Sequence, residues 1–125
     1  MAIEQIDPNE AHERMKAEAV YVDVRTEEEF EAGHPENAKH VPLHHLDDGQ
    51  MILNDSFAEE FQVAFPKETE LIMGCRSGGR SQKAAEILVG VGYTNVVNMV
   101  GGFLGKPGQQ GWDQLGLPTE DGPAD

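Results

Sequence analysis

An apolar run, Leu71 to Met73, leads through Gly74 into Cys75-Arg76-Ser77-Gly78-Gly79-Arg80-Ser81, and a helix-patterned stretch, Ser81 to Val91, follows at once. A strand, a tight Gly/Ser/Arg loop and a helix in that order leave little room for anything but a βα unit in a mostly parallel sheet. Such a unit aims successive backbone N–H groups and a helix N-terminus at one point, where an anion is stabilised. The only cysteine of the chain, Cys75, stands at that point. There the thiolate, the form that attacks electrophiles, is favoured. Gly78 and Gly79 let the N–H groups of residues 76 to 81 converge, because no side chain blocks them or forbids positive φ. Arg76 and Arg80 bring positive charge for an anionic substrate. The stretch reads as an active site, with Cys75 as nucleophile and Arg76, Ser77, Gly78, Gly79, Arg80 and Ser81 as its binding loop.

The rest of the chain reads as alternating helices and strands. Asp7-Pro8 opens a helix over 9–18, with the proline just inside its start. Val20 to Val24 is a short apolar run that suits a buried strand. Thr26 caps the next helix, Glu29 completes a capping box three residues on, Phe30 faces inward and Gly33 ends it. A short strand at Lys39 to Val41 stops before Pro42. The polar, turn-rich segment from His44 to Asn54 reads as loop. Ser56 caps a helix from Phe57 to Phe65, whose Phe57, Phe61, Ala64 and Phe65 recur at helical spacing. The helix of 81–91 buries Ala84, Ala85, Leu88 and Val91, Gly92 closes it, and Val96 to Met99 is a further strand. The expected architecture is α/β, with the site beyond the carboxyl ends of the strands. One domain over 1–118 is expected, followed by a flexible acidic tail over 119–125.

Charge and cysteine count narrow the chemistry. Nine basic residues against 23 acidic ones give a formal net charge of −14 in 125 residues. That balance argues against nucleic acid and anionic membrane as partners. It also repels a small anionic substrate, so the loop arginines must supply a local positive field and catalysis is expected to respond to ionic strength. No apolar run is long enough to cross a membrane and the N-terminus lacks a signal-peptide pattern, so a cytoplasmic protein is expected. With one cysteine, a persulfide or sulfenic acid on Cys75 has no resolving thiol in the chain, and its acceptor must come from outside.

Three stretches together resemble the rhodanese family of sulfurtransferases. Val22-Asp23-Val24-Arg25-Thr26-Glu27-Glu28-Glu29-Phe30, with Gly33-His34 and Ala38, is similar to the family's N-terminal signature. Cys75 to Ser81 is similar to its active-site loop. Gly92-Tyr93-Thr94-Asn95-Val96, Gly101-Gly102 and Trp112 to Pro118 resemble its C-terminal signature, so the likeness runs over residues 5–118. It implies a rhodanese-like domain with helices on both faces of the sheet. It further implies that the Cys75 thiolate takes a sulfur from a small anionic donor such as thiosulfate and passes it to cyanide or an external thiol, including a thioredoxin-like acceptor. No organic cofactor or metal is needed. Ser77 and Ser81 are candidates to hydrogen-bond the sulfur, although Ser81 also stands where a helix cap belongs, the role preferred for it. Arg76 and Arg80 either hold the sulfonate end of the donor or pair with carboxylates.

Other readings weigh less. Asp23 and Arg25 are taken as structural residues near the site rather than an acid–base pair. His34, His40, His44 and His45 are read as surface histidines, since Pro42 breaks any helix between His40 and His44 and no carboxylate or cysteine completes a metal set. A cysteine phosphatase or arsenate reductase requires arginine six positions after the cysteine, where this chain has Ser81. A non-catalytic or persulfide-carrier module would use the same fold, but such interaction modules usually lack the cysteine. The chain departs from the family at 33–38, one residue short, and at Phe103 to Gly111, an insertion expected to form a flap over the pocket.

Overall fold

The computed structural model describes residues 3–124. In chain order it runs through β1 (Glu4–Ile6), α1 (Pro8–Lys16), β2 (Val20–Asp23), α2 (Glu27–Ala32), β3 (His34–Pro35), β4 (Lys39–His40), β5 (His44–Asp47), β6 (Gln50–Leu53), α3 (Phe57–Ala64), β7 (Leu71–Gly74), α4 (Gly79–Gly90), β8 (Val96–Met99) and β9 (Thr119–Glu120). Five parallel strands form the central sheet in the order β1-β8-β7-β2-β4. Strand β2 passes the chain to β4 on one side, whereas β7 passes it to β8 on the other. The crevice outside the ends of β2 and β7 is therefore the place where a ligand finds room.

Alternation along these strands divides the core into two layers. Val22, Leu71, Met73 and Val96 join Phe57 and Phe61 of α3 and Ala84, Ala85 and Leu88 of α4 on one face. Tyr21, Ile72, Val97 and Met99 join Ala11 of α1, Phe30 of α2 and Trp112 on the other. Helices thus cover both faces, as parallel sheets require when each strand is buried on two sides. The expected caps hold at two helices. Asp7 accepts the Glu10 N–H at 2.8 Å. Thr26 and Glu29 make the reciprocal bonds of a capping box.

Other expectations give way. Ser56 makes no side-chain cap at α3; Asn54 instead accepts the Ser56 N–H at 3.1 Å and donates to the Pro42 carbonyl and to Glu60. The segment from His44, read as loop, is the β5–β6 hairpin up to Leu53. Its turn is Asp48-Gly49 with φ of 53° and 80°, the two-residue geometry that an Asp-Gly pair favours. Leu46, Met51, Ile52 and Leu53 remain between 40 and 50 % exposed on it. The acidic tail is anchored where it begins: Thr119–Glu120 pairs antiparallel with His34–Pro35, and the Gly122 N–H donates to the Glu31 carbonyl. Asp125, the end of that expected tail, lies outside the described residues.

Candidate active site

Strand β7 delivers Cys75 to the crevice, and a glycine is required just before it. A Cβ on Gly74 would lie 1.7 Å from the Tyr21 hydroxyl, which reaches up from the adjacent strand β2. That hydroxyl has no hydrogen-bond partner among the described residues, and burial pushes the phenol well above its ordinary range. After Cys75 the loop bends at Gly78, whose φ of 111° suits glycine. Gly78 is also the residue that caps α4.

The cysteine is 2 % exposed. Its Sγ receives the Gly78 N–H at 3.1 Å and faces Ser81 Oγ at 3.3 Å. Ser81 lies inside the first turn of α4, fully buried, so it touches the sulfur and does not cap the helix. Of the loop amides, Gly78 N–H is the one bonded to Sγ; those of Gly79, Arg80 and Ser81 open α4, where a helix leaves its N–H groups without intrahelical acceptors. Ser77 is exposed on the loop and makes no side-chain bond to the sulfur among the described residues. Gly79 has an ordinary φ and nothing within 4 Å of an added Cβ, so only Gly78 of the pair is sterically required. Gly79→Ala is accordingly expected to change stability by less than about 0.5 kcal/mol in a urea melt.

The two arginines divide. Arg80 is bidentate to Glu29, at 2.7 and 2.9 Å, which ties α4 to α2. Hydrogen bonding to Glu29 raises the already high Arg80 value. Although partial burial acts the other way, the bonds from Arg80 and Thr26 bring the Glu29 carboxyl down to about 2. Of the two roles open to Arg80, the carboxylate pairing is the one the structure shows, and its charge is already matched. Arg76 is exposed and has no ion-pair partner among the described residues. It borders an open cleft of about 450 Å³ together with Arg25, Glu29, Gly33, Phe103 and Leu104.

The Glu29 shift carries a pH prediction. A carboxyl lowered in the folded state stabilises above its unfolded value, and that stability is lost as pH falls through the folded one. Glu29→Gln keeps an acceptor for the capping box but breaks the ion pair. It is expected to cost about 1 kcal/mol at neutral pH, after allowance for solvent screening, and the gap to wild type should narrow as pH falls from about 5 towards 2. Urea unfolding across that range checks it.

Asp23 and Arg25 form a buried ion pair at the end of β2. Arg25 Nε and Nη2 donate to the Asp23 carboxylate at 2.8 to 3.0 Å, Nη2 also donates to the Gly33 carbonyl, and the guanidinium stacks 4.6 Å over the Phe103 ring. Burial opposes the Arg25 charge, and the Asp23 bonds outweigh it, leaving the value raised. Neither residue hydrogen-bonds Sγ. The pair braces the crevice wall.

Of the four histidines read as surface groups, His45 is exposed as expected, whereas His34, His40 and His44 are not. His34 is 1 % exposed, stacks on Phe30 at 3.7 Å and binds the Phe30 carbonyl through Nδ1. His40 stacks on the same ring and binds the Arg25 carbonyl through Nε2. His44 is half-buried beside Arg80; burial, then the Arg80 charge, lowers its value. The segment from Phe103 is stitched to the loop: Phe103 N–H donates to the Cys75 carbonyl at 2.8 Å and Leu104 N–H to that of Arg76 at 2.9 Å. Its first residues brace the loop rather than flap over it. Trp112 is 1 % exposed and anchors the core.

The sequence reading missed Asn98 and Gln5. Asn98, 3 % exposed on β8, contacts Ser81 Oγ at 2.6 Å and Gln5 at 2.8 Å. The signal was present as a lone amide inside the buried run Val96-Val97-Asn98-Met99.

A cysteine at the helix mouth beyond a five-stranded parallel sheet defines an α/β domain with a thiol at its candidate site. The chain belongs to the rhodanese-like domain family, whose model matches residues 7–105. It is 39 % identical over 110 residues to thiosulfate sulfurtransferase 16, chloroplastic, of Arabidopsis thaliana, covering 88 % of this chain and 87 % of that one. It is 32 % identical to the thiosulfate sulfurtransferase GlpE of Haemophilus influenzae, over 96 % of this chain and 97 % of the relative. Other curated relatives are longer, and the chain spans 57 to 59 % of their length. The crystal structure of Rv0390 from M. tuberculosis superposes with a TM-score of 0.81 at 33 % identity, over 98 % of this chain and all of that one.

Proposed function

We propose that this protein is a sulfurtransferase that carries sulfur as a persulfide on Cys75. The observation that carries the reading is the Sγ environment: a sulfur at the N-terminus of α4, bonded to the Gly78 N–H, with the amides of the first helical turn beside it. The thiolate attacks the outer sulfur of thiosulfate, a new S–S bond forms, the old one breaks, and sulfite leaves with the electron pair. The persulfide charge then rests on the outer sulfur, where the amides of Gly79, Arg80 and Ser81 are the available donors. A thiolate or cyanide attacks that sulfur in turn and regenerates the Cys75 thiolate.

Thiosulfate is favoured because Cys75 is nearly buried, so the reacting sulfur must be slim, and because relatives bear that activity in their names. With Arg80 held by Glu29, Arg76 is the loop arginine without an ion-pair partner among the described residues, and it is assigned the sulfonate. Arg76→Ala is expected to raise the thiosulfate KM about tenfold and change kcat less than about threefold, the mark of lost substrate binding. Cyanide-coupled steady-state kinetics reads both. The acceptor is an external thiol, of the thioredoxin-like or small-molecule kind, since the chain has no second cysteine. No helix among the described residues is long and apolar enough to cross a membrane; the cytoplasm is the proposed compartment. Intact-protein mass spectrometry after thiosulfate treatment tests the whole reading. The expected result is a gain of about 32 Da, one sulfur atom, that cyanide removes. A protein left unmodified over a range of thiosulfate concentrations would overturn the thiosulfate assignment.

A further inference from the structure

Behind the sulfur, the polar contacts form one chain whose direction is set by two backbone carbonyls. A carbonyl oxygen only accepts, so any side-chain group bonded to it is a donor. Gln5 Nε2 donates to the Ile3 carbonyl at 3.1 Å, which leaves Gln5 Oε1 to accept from Asn98 Nδ2 at 2.8 Å. Asn98 Nδ2 also faces the Gly78 carbonyl at 3.3 Å. Both amides are thereby oriented, and Asn98 presents Oδ1 to Ser81 Oγ at 2.6 Å. That oxygen carries no proton, so the Ser81 hydroxyl donates to it. Ser81 has one hydroxyl proton; the Gly78 carbonyl at 3.2 Å could also accept it, but Asn98 Oδ1 is much the nearer, and with the proton there Oγ turns its lone pairs to Cys75 Sγ. A thiol can donate its S–H into those lone pairs. A thiolate cannot, and gains a bond from Ser81 only if the hydroxyl swings away from Asn98.

We infer that Asn98 is a positioning residue: by holding the Ser81 hydroxyl proton it raises the pH at which Cys75 becomes nucleophilic. Once Cys75 bears a second sulfur, the charge sits on the outer atom and Sγ no longer needs that donor. The hydroxyl returns to Asn98, so the same contact favours the persulfide over the bare thiolate. The inference rests on Cys75 being the nucleophile, as the proposed function has it, but not on what the sulfur carries.

Of the charged and titratable groups around Cys75, Tyr21 of β2 and Arg80 of α4 feel its charge, the Asp23–Arg25 pair stands at the end of β2, Glu29 of α2 acts through Arg80, and Arg76 is the next residue of the loop. His44 of β5 and Lys83 of α4 lie beyond, beside one another's fields at Arg80. None of them hydrogen-bonds Asn98, whose partners are Ser81, Gln5 and Gly78. Replacing Asn98 therefore reaches the sulfur through Ser81 or through Gly78, whose N–H bonds Sγ, and the Ser81→Ala background separates the two routes.

The test is the pH dependence of Cys75 alkylation by iodoacetamide in the full chain. Asn98→Leu removes the acceptor at nearly constant volume, and Gln5, which is exposed, is left to water. The alkylation midpoint is expected to fall by about one pH unit, making the reaction about tenfold faster well below it. In a Ser81→Ala background the same change is expected to leave the midpoint where Ser81→Ala put it. If the leucine variant fails to fold, Asn98→Val, whose branched side chain suits a strand, reads the same midpoint. A folded variant with an unchanged or raised midpoint, or an equal fall without Ser81, would overturn the inference. Alkylation does not need sulfur transfer, so its outcome and that of the thiosulfate mass measurement fail separately.

Discussion

Cys75→Ser is expected to abolish the sulfur gain after thiosulfate treatment and to lower cyanide-coupled turnover by about three orders of magnitude or more. A serine hydroxyl is not ionised near neutral pH and forms no bond to sulfur that a thiol acceptor can reopen, so the covalent step has no substitute. No second cysteine is present to take over. The fold should tolerate the change, because the smaller hydroxyl inherits the Gly78 N–H and Ser81 contacts that Sγ has now. Any stability loss is expected at about 1 kcal/mol. Circular dichroism and a thermal melt separate that from inactivation. A sulfur adduct or substantial turnover retained by a folded Cys75→Ser protein would refute the site.

The βα unit around Cys75 was legible because local chemistry alone demands it. An apolar strand, a glycine that must bend, and a helix with no room for a spacer point to one geometry. The capping box of Thr26 and Glu29 was legible for the same reason, being a contact between residues three apart. What was hidden is that Glu29 serves twice, as cap and as partner of Arg80 across 51 positions. Sequence spacing cannot show which of 23 acidic residues meets an arginine. Ser81 was misassigned by one turn: α4 starts at Gly79, so a serine placed to cap a helix beginning at 81 points instead at sulfur. The β5–β6 hairpin shows the opposite failure. Its Asp48-Gly49 turn was readable, but the polar residues around it masked a two-residue connection between short strands. His34 and His40 were hidden because Phe30, which they sandwich, belongs to a different element from either.

Gly102→Ala is expected to damage stability and turnover together. The residue has φ of 59°, and an added Cβ would stand 2.5 Å from the Cys75 carbonyl oxygen and the Arg76 carbonyl carbon, and 2.6 Å from the Arg76 carbonyl oxygen. All three are backbone atoms, so no side-chain rotation relieves the contact. The same carbonyls receive the N–H groups of Phe103 and Leu104, and Trp112 N–H donates to the Gly102 carbonyl. The loop must therefore shift by most of an ångström or give up those bonds, at a cost of about 3 kcal/mol or more. A displacement of that size moves Sγ away from the Gly78 N–H and the first turn of α4. Misplacement of a reacting atom by about 1 Å costs roughly a hundredfold in rate, so transfer should fall at least that far even at temperatures where the variant stays folded. Gly108→Ala supplies the comparison. Its φ of 85° carries similar backbone strain, but nothing lies within 4 Å of the added carbon, so it is expected to lose about 1–2 kcal/mol and keep wild-type turnover. Thermal melts and cyanide-coupled rates on the pair separate the two causes. Equal losses in both variants would mean that backbone strain, rather than contact with the Cys75 loop, explains Gly102.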